Sequence, residues 1–388
     1  MIRAAGVPKV LMAGGGTGGH LFPGVAVAER LQKRMPGARV ILAATAKDLA
    51  SKHLAACPLE IVQLGSPKQW TTAANIPGFS VQMARALMRS YAFLRETEPD
   101  IVVGLGGYGS VAPVMAARSR LIPAIVLEQN AVPGKATRFL GRFGAVAAAS
   151  FPRIHEHGFK GRAVFTGNPI REKVLKTRAA HAHFGFDPAV PVLGVLGGSL
   201  GSRRVNERVV EGIRALRDAA QVPFQVLHAT GSEEDALTAS HAYAEAGVRA
   251  CVWPFFVEMD AVYGTVDAVV CRAGGTTVAE LTALGIPAVF VPYPHHRDDH
   301  QTKNAAALVA AGAATLVPES SLGPTTLAEN VAPLLADPAR RARRSRDMLR
   351  AGRRDAADRV VDLILELTGY QDDSQSPAEV PAAKEVLP

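Results

Sequence analysis

The sequence predicts two tandem doubly wound α/β domains, each a parallel sheet with helices on both faces, meeting across a cleft. Three observations carry this. Short apolar, β-branched runs alternate with helical patterns along most of the chain, the order that builds a parallel sheet from crossover units. The alternation occurs twice, and the two series are separated by Thr166-Gly167-Asn168-Pro169, where Gly and Pro interrupt both helix and strand. A length of 388 residues also exceeds what one ordinary core accommodates.

The first series opens with Val10-Leu11-Met12-Ala13, then Gly14-Gly15-Gly16-Thr17-Gly18-Gly19-His20, then a helical pattern through Val25, Ala26, Ala28 and Leu31. A glycine-rich turn between a strand and a helix N-terminus brings backbone N–H groups and the positive end of the helix dipole to a phosphate-sized anion. Gly14, Gly16 and Gly19 also fit the dinucleotide fingerprint. A nicotinamide site is opposed by the second strand, residues 39–44, which ends without the acidic residue that grips an adenosine ribose; Asp48 comes several residues too late. The motif ends instead in His20, a titratable imidazole beside the phosphate. Further strands are expected at 101–105, 124–127 and 145–149. The first of these closes in Gly104-Leu105-Gly106-Gly107-Tyr108-Gly109-Ser110 and the second in Glu128-Gln129-Asn130, so polar side chains converge on the crevice that holds His20. Turn formation explains the glycines and Asn130 but leaves Glu128 without a reason. Residues 79–95 form an apolar helix carrying Arg85, Arg89 and Arg95. That pattern suits an anionic membrane surface; packing on the domain's own core is the alternative.

The second series places strands at 192–196, 225–229, 249–252, 268–271 and 288–292. Gly197-Gly198-Ser199-Leu200-Gly201-Ser202 follows the first of them, as a phosphate cradle or as a plain turn with Ser199 or Ser202 at the helix N-cap. Cys271-Arg272-Ala273-Gly274-Gly275-Thr276-Thr277-Val278-Ala279-Glu280 is another strand-turn-helix anion site. Thr277 and Glu280 have capping-box spacing, while a carboxylate at Glu280 is also suited to a ribose diol. The run Pro294-His295-His296-Arg297-Asp298-Asp299-His300-Gln301 has the residue types of a metal cluster. Its spacing is irregular and it falls in a loop, so contacts to sugar hydroxyls, with Gln301 both donor and acceptor, are the preferred function. An Arg-rich helical pattern runs over 340–367, and the Asp, Ser, Pro and Glu-rich residues after Gly369 lack the apolar surface to order themselves.

Cys57, Cys251 and Cys271 are odd in number and far apart, which fits reduced thiols and a cytosolic setting rather than a disulfide framework. Neither a secretory signal nor a membrane-spanning run is legible. Charge is uneven. Residues 1–170 hold 20 Lys and Arg against 8 Asp and Glu, a net of about +12, whereas the whole chain carries +8. A basic half attracts anionic lipid, a phosphorylated substrate or nucleic acid; few aromatics accompany the basic residues, so a base-stacking nucleic-acid surface is the least supported of the three, and no nucleic-acid partner is expected.

Taken together, GGGTGGH, GLGGY, LEQN, TGNPIR, GGSLGS and CRAGGTTVAE occur in the order and spacing of the MurG family of bacterial glycosyltransferases, which the chain resembles over about residues 8–365. The resemblance implies a GT-B fold of two Rossmann-like domains: an N-terminal acceptor and membrane-side domain at 1–168, a C-terminal UDP-sugar domain at 169–368, and a disordered tail at 369–388. It implies inverting transfer of N-acetylglucosamine from UDP-N-acetylglucosamine to the C4 hydroxyl of undecaprenyl-pyrophosphoryl-muramoyl-pentapeptide, without metal or other cofactor. That step belongs to peptidoglycan synthesis, and so to cell shape and division, at the cytoplasmic face of the inner membrane. By the same resemblance Thr17, Gly18, Gly19 and Asn130 meet the donor from the N-terminal domain. Arg171, Ser199 and Gln301 contact its diphosphate or sugar, and the Phe256 backbone lies by uracil. Gly275, Thr276, Thr277, Val278, Ala279 and Glu280 hold phosphate and ribose. The family has a second glutamine where His300 stands and an aliphatic residue where Phe256 stands.

Inverting transfer needs a base on one face of the sugar and charge stabilisation on the other. His20 is the expected general base, because imidazole titrates near neutrality; Glu128 and Tyr108 are the reserves. The competing functions are another GT-B enzyme such as a lipid glycosyltransferase or UDP-sugar epimerase, a nicotinamide oxidoreductase, and a membrane-associated scaffold that keeps a nucleotide fold.

Overall fold

In a computed structural model, which describes residues 6–15, 18–44, 59–64, 76–198, 201–296 and 298–372, the apolar runs pair into two parallel sheets. The first has the order β3-β2-β1-β4-β5-β6-β7. Its strands are β1 (Lys9–Ala13), β2 (Arg39–Ala44), β3 (Glu60–Gln63), β4 (Ile101–Gly104), β5 (Ala124–Glu128), β6 (Val146–Ala149) and β7 (Ala163–Phe165). Central strands are buried on both faces, so β1, β4, β5 and β6 read as unbroken apolar runs. The edge strands β3 and β7, part-exposed and short, escape sequence reading for that reason. One face is covered by α2 (Ile76–Thr97), α3 (Val111–Ser119) and α4 (Lys135–Arg142), packed over Leu11, Ile41, Val102 and Val126.

The second sheet, β10-β9-β8-β11-β12-β13, comprises β8 (Val192–Leu196), β9 (Gln225–Ala229), β10 (Arg249–Trp253), β11 (Ala268–Cys271), β12 (Ala288–Phe290) and β13 (Thr315–Leu316). The last is an unpredicted edge strand of two residues. One face packs α6 (Arg203–Ala220), α7 (Glu233–Glu245) and α11 (Pro324–Ala336). The other meets α5 (Glu172–Leu175), α8 (Met259–Tyr263), α9 (Gly275–Leu284), α10 (His300–Ala310) and α12 (Pro338–Ala351). Cys251 and Cys271 are free thiols, and Cys57 lies outside the described residues.

The remaining face of the first sheet is covered by α1 (Gly18–Arg34) and by the last helix, α13 (Ala356–Thr368). Val360, Val361, Leu363, Ile364 and Leu365 of α13 pack with Val10, Met12, Leu21 and Leu31. Ion pairs fasten it: Arg30 Nε to Asp358 Oδ1 at 2.6 Å and Arg34 Nη1 to Asp362 Oδ1 at 2.7 Å. Residues 356–368, expected with the second unit, therefore complete the core of the first. The fastening runs into the expected tail, where the Tyr370 hydroxyl donates to Asp100 Oδ2 at 3.1 Å and Arg34 Nε pairs with Asp372 Oδ2 at 2.7 Å. Residues 373–388 lie outside the described residues.

Candidate active site

In each sheet the winding direction reverses once, between β1 and β4 in the first and between β8 and β11 in the second. Loops diverge at such a point beyond the carboxyl ends of the strands and leave a crevice. All four strands flanking the two reversal points end in the glycine loops singled out above.

The first crevice is built by backbone contact. Gly14 has φ +119, and a Cβ there would lie 2.7 Å from Gly106 O. His20, the third residue of α1, lies over Gly106: a Cβ at Gly106, which has φ +103, would be 2.6 Å from His20 Cδ2. Only glycine lets the β4 loop slide under the imidazole. Tyr108 stands on the next turn, its ring 6.1 Å from that of Phe79 and edge-on to it. Thr17 lies outside the described residues.

Glu128 is buried at the end of β5. Its Oε1 accepts from Asn130 N at 3.0 Å and its Oε2 from Gly134 N at 2.9 Å. Burial pushes its carboxyl above the ordinary range, opposed by hydrogen bonds from Thr137, Gly134 and Asn130. The carboxylate thus answers the question its sequence position raised: it shapes the loop that presents Asn130.

In the second crevice α9 starts at Gly275, with Gly274 at the N-cap and no side-chain capping bond. This corrects the capping box, since Thr277 is the third helical residue and cannot be the cap. Thr276 Oγ1 instead donates to Gly19 O across the cleft at 2.9 Å and accepts from Asn168 Nδ2 at 3.3 Å. Val278 is buried and Ala279 packs against the second core. Glu280, buried one turn on, accepts from the Tyr263 hydroxyl at 2.7 Å. Burial raises its pKa, against the opposing pull of Tyr263 and Arg171.

Arg171 caps α5 and lies over the Phe22 ring, its guanidinium carbon 3.9 Å from the centroid. Its Nε and the Asn168 Oδ1 are buried side-chain atoms without a hydrogen-bond partner. Two unsatisfied polar atoms, a donor and an acceptor, at the hinge between sheets are costly unless a ligand meets them. Ser202 is the N-cap of α6, accepting from Val205 N; Ser199 lies outside the described residues. Gln301, second residue of α10, accepts from Tyr293 N through Oε1 at 2.9 Å. Phe256 is buried edge-on against Phe184, with centroids 5.8 Å apart. Beside it opens a cavity of about 570 Å³ lined by His183, Phe184, Trp253, Phe255 and Val257.

Three residues of the site escaped sequence reasoning. Asn304, wholly buried on α10, donates to Asn130 Oδ1 at 3.1 Å and to Ala273 O at 3.0 Å, and accepts from Ala131 N at 2.8 Å. It ties the two crevices together. Its one available signal is a position three after Gln301, on the same helix face. Arg272 joins the Ser202 hydroxyl at 2.6 Å, the Val291 and Pro292 carbonyls at 3.0 Å and the Glu319 carboxylate. Tyr263, the partner of Glu280, has no sequence signal.

Over residues 10–148 the sequence matches the glycosyltransferase family 28 N-terminal domain, and over residues 192–360 the C-terminal domain of the same family. The chain belongs to glycosyltransferase family 28. A family relative from Anaeromyxobacter dehalogenans is 38% identical over 369 residues, covering 92% of this chain and 93% of the relative. Another, from Geobacter metallireducens, is 39% identical over 366 residues, covering 92% and 98%. Both are named UDP-N-acetylglucosamine--N-acetylmuramyl-(pentapeptide) pyrophosphoryl-undecaprenol N-acetylglucosamine transferase. The crystal structure of Acinetobacter baumannii MurG superposes with a TM-score of 0.72 at 30% identity, covering 92% of this chain and 99% of that one. The N-terminal match runs from β1 into β6 and the C-terminal match holds β8 to β13, so each family 28 domain carries one of the two sheets of a GT-B architecture.

Proposed function

We propose that the chain transfers N-acetylglucosamine from UDP-N-acetylglucosamine to the C4 hydroxyl of undecaprenyl-pyrophosphoryl-muramoyl-pentapeptide, with inversion, at the cytoplasmic face of the bacterial inner membrane. One observation carries the reading: two crevices, each at a reversal point, are joined by Thr276 to Gly19 and by Asn304 to Asn130 and Ala131. A nucleotide sugar spans such a junction, with diphosphate on one wall and sugar toward the other.

The donor's roles divide accordingly. Uracil enters beside the Phe256 backbone, at the cavity next to it, and the ribose hydroxyls meet Glu280. The diphosphate is held by the N-terminus of α9, from Gly275 to Thr277, with Ser199 and Arg171, whose positive charge offsets that of the leaving group. Gln301 and Asn130 orient the sugar, while Thr17, Gly18 and Gly19 form the opposite wall.

The reaction is a single displacement. The acceptor O4–H loses its proton as O4 bonds to the anomeric carbon, and the bond from that carbon to the diphosphate oxygen breaks, the electron pair leaving with UDP. His20, whose ring lies against the β4 loop at Gly106, takes the proton. Tyr108 is the reserve. Glu128 acts on the loop rather than on the proton, because both its oxygens already accept backbone N–H groups.

The test is transfer of labelled N-acetylglucosamine from UDP to a short-chain muramoyl-pyrophosphoryl-lipid analogue, in EDTA, at a series of pH values. Transfer is expected to proceed, with the pH dependence assigned to the base absent from His20→Ala. No transfer to this acceptor, but transfer to diacylglycerol or epimerisation of the donor, would replace the reading with one of its competitors.

A further inference from the structure

We infer that His296, Asp298 and His300 form a binding site for a divalent transition-metal ion of the zinc class, on the surface segment that leads from β12 into α10. One donor atom from each of the three side chains lies within 4.8 Å of the others. The irregular spacing in sequence is resolved by the backbone. Asp299 N donates to His296 O at 3.0 Å, closing a tight turn, and Asp299 itself takes the left-handed conformation at φ 47. That turn brings His296 back over the start of the helix, where its ring is 4.3 Å from that of His300. Asp298 Oδ1 is 2.9 Å from His300 Nδ1. Lys303 Nζ donates to the Asp298 carbonyl at 3.1 Å and not to its carboxylate.

A carboxylate orienting one histidine accounts for Asp298 and His300 but not for the second imidazole, tilted at 43° against the His300 ring. Two imidazole nitrogens and one carboxylate oxygen are the donor set of zinc, nickel or copper; magnesium and calcium favour oxygen alone. Three protein ligands leave coordination positions open for water. His300 stands beside Gln301, which orients the sugar in the proposed function, so the site is tested by metal binding and not by transfer. The site stands whether or not the chain is a transferase.

The experiment uses the untagged full chain, stripped with EDTA and titrated with Co²⁺, which reports a protein site by visible d–d absorption. Bands that saturate at a single ion, are displaced by Zn²⁺ and vanish in the triple variant His296→Ala, Asp298→Ala, His300→Gln are the expected result. Zn²⁺ should also raise the melting temperature of the parent and not of the triple variant. His241→Ala, an exposed histidine on α7 paired with Glu245, should keep the bands. His296 and Asp298 are largely exposed and His300 is part-buried, and an unshifted metal-free melt verifies folding. Absence of bands in the parent, or bands that persist in the triple variant, would overturn the assignment.

Discussion

Glu280 has a pKa raised chiefly by burial and held in check by Tyr263 and Arg171. A ribose diol is best accepted by the ionised carboxylate, so the direction of the shift sets the acid limb of donor binding. As pH falls, Glu280 takes up its proton earlier than a solvent-exposed glutamate, and UDP affinity falls at a correspondingly higher pH. Titration calorimetry across that range should show the decline in the parent. Glu280→Gln should be weaker by roughly tenfold at neutral pH, the scale of one charged hydrogen bond, and flat with pH; a parallel decline in the variant would assign the limb elsewhere. Asn304 acts on a different quantity. It makes three hydrogen bonds from a wholly buried position, two of them across to the other crevice. Asn304→Ala leaves Ala131 N–H, Ala273 C=O and the Asn130 amide without that partner, and should destabilise the fold by about 1–3 kcal/mol in urea denaturation. An unchanged midpoint would mean that the contact contributes nothing in solution.

Among the elements, α9 comes close to the opposite wall of the cleft at its first residue. A Cβ on Gly275 would lie 2.0 Å from Gln129 O and 3.3 Å from Asn130 Oδ1, both on the loop that Glu128 shapes. Gly275→Ala must push the helix N-terminus off that loop, even though alanine favours the helix itself. A displacement of about 1 Å at a reacting centre costs on the order of a hundredfold, so kcat/KM should fall by that scale with the melting temperature nearly kept. Gly274→Ala is the control, because its nearest neighbour, Thr277 Oγ1, is 3.9 Å away; equal losses in the two variants would sink the steric account. The same elements show what a sequence can disclose. The buried central strands were legible because each is apolar on both faces, and the glycine loops because positive φ and close approach leave few alternatives at Gly14 and Gly106. The edge strands β3, β7 and β13 were not, since short half-exposed strands carry neither a continuous apolar run nor a clean alternation. Thr277 misled because a capping box is a spacing, and the N-cap is Gly274, three residues earlier. The arginine-bearing helix at 79–95 was placed, and its buried stripe through Ala86, Ser90 and Leu94 follows the core-packing alternative, yet periodicity could not say what meets its outer face. Asn304 was silent for a related reason: an asparagine inside a helix has no pattern until the opposing loop is in place.

For the whole molecule, the chain order and the spatial order differ. α13 returns to seal the N-terminal sheet, while the net basic charge stays with that half, about +12 from 20 Lys and Arg against 8 Asp and Glu. The exposed side of α2 combines Val81 at 51% and Met88 at 64% exposure with Arg85 and Arg89. α4 adds Phe139 and Phe143, exposed with centroids 4.7 Å apart, beside Arg138 and Arg142. Among the described residues no helix is long and apolar enough to cross a membrane. Under the proposed function this face, with its exposed apolar and basic side chains, is the candidate for contact with anionic lipid. Each arginine near an anionic bilayer contributes about 1 kcal/mol. Replacing Arg85, Arg89 and Arg95 by alanine should therefore weaken binding to phosphatidylglycerol vesicles by roughly a hundredfold at low salt. Met88→Asp should reduce it through lost apolar insertion and added negative charge. High salt should narrow the difference between parent and triple variant, because exposed charges are screened beyond roughly 10 Å at 0.1 M. Vesicle co-sedimentation reads the binding, and transfer to a water-soluble acceptor analogue, run in parallel, should be unchanged if these arginines serve the membrane and not the reaction. Equal loss with vesicles and with the soluble acceptor would place them in the acceptor site instead, and equal binding by parent and variant would move the membrane face elsewhere on the basic half.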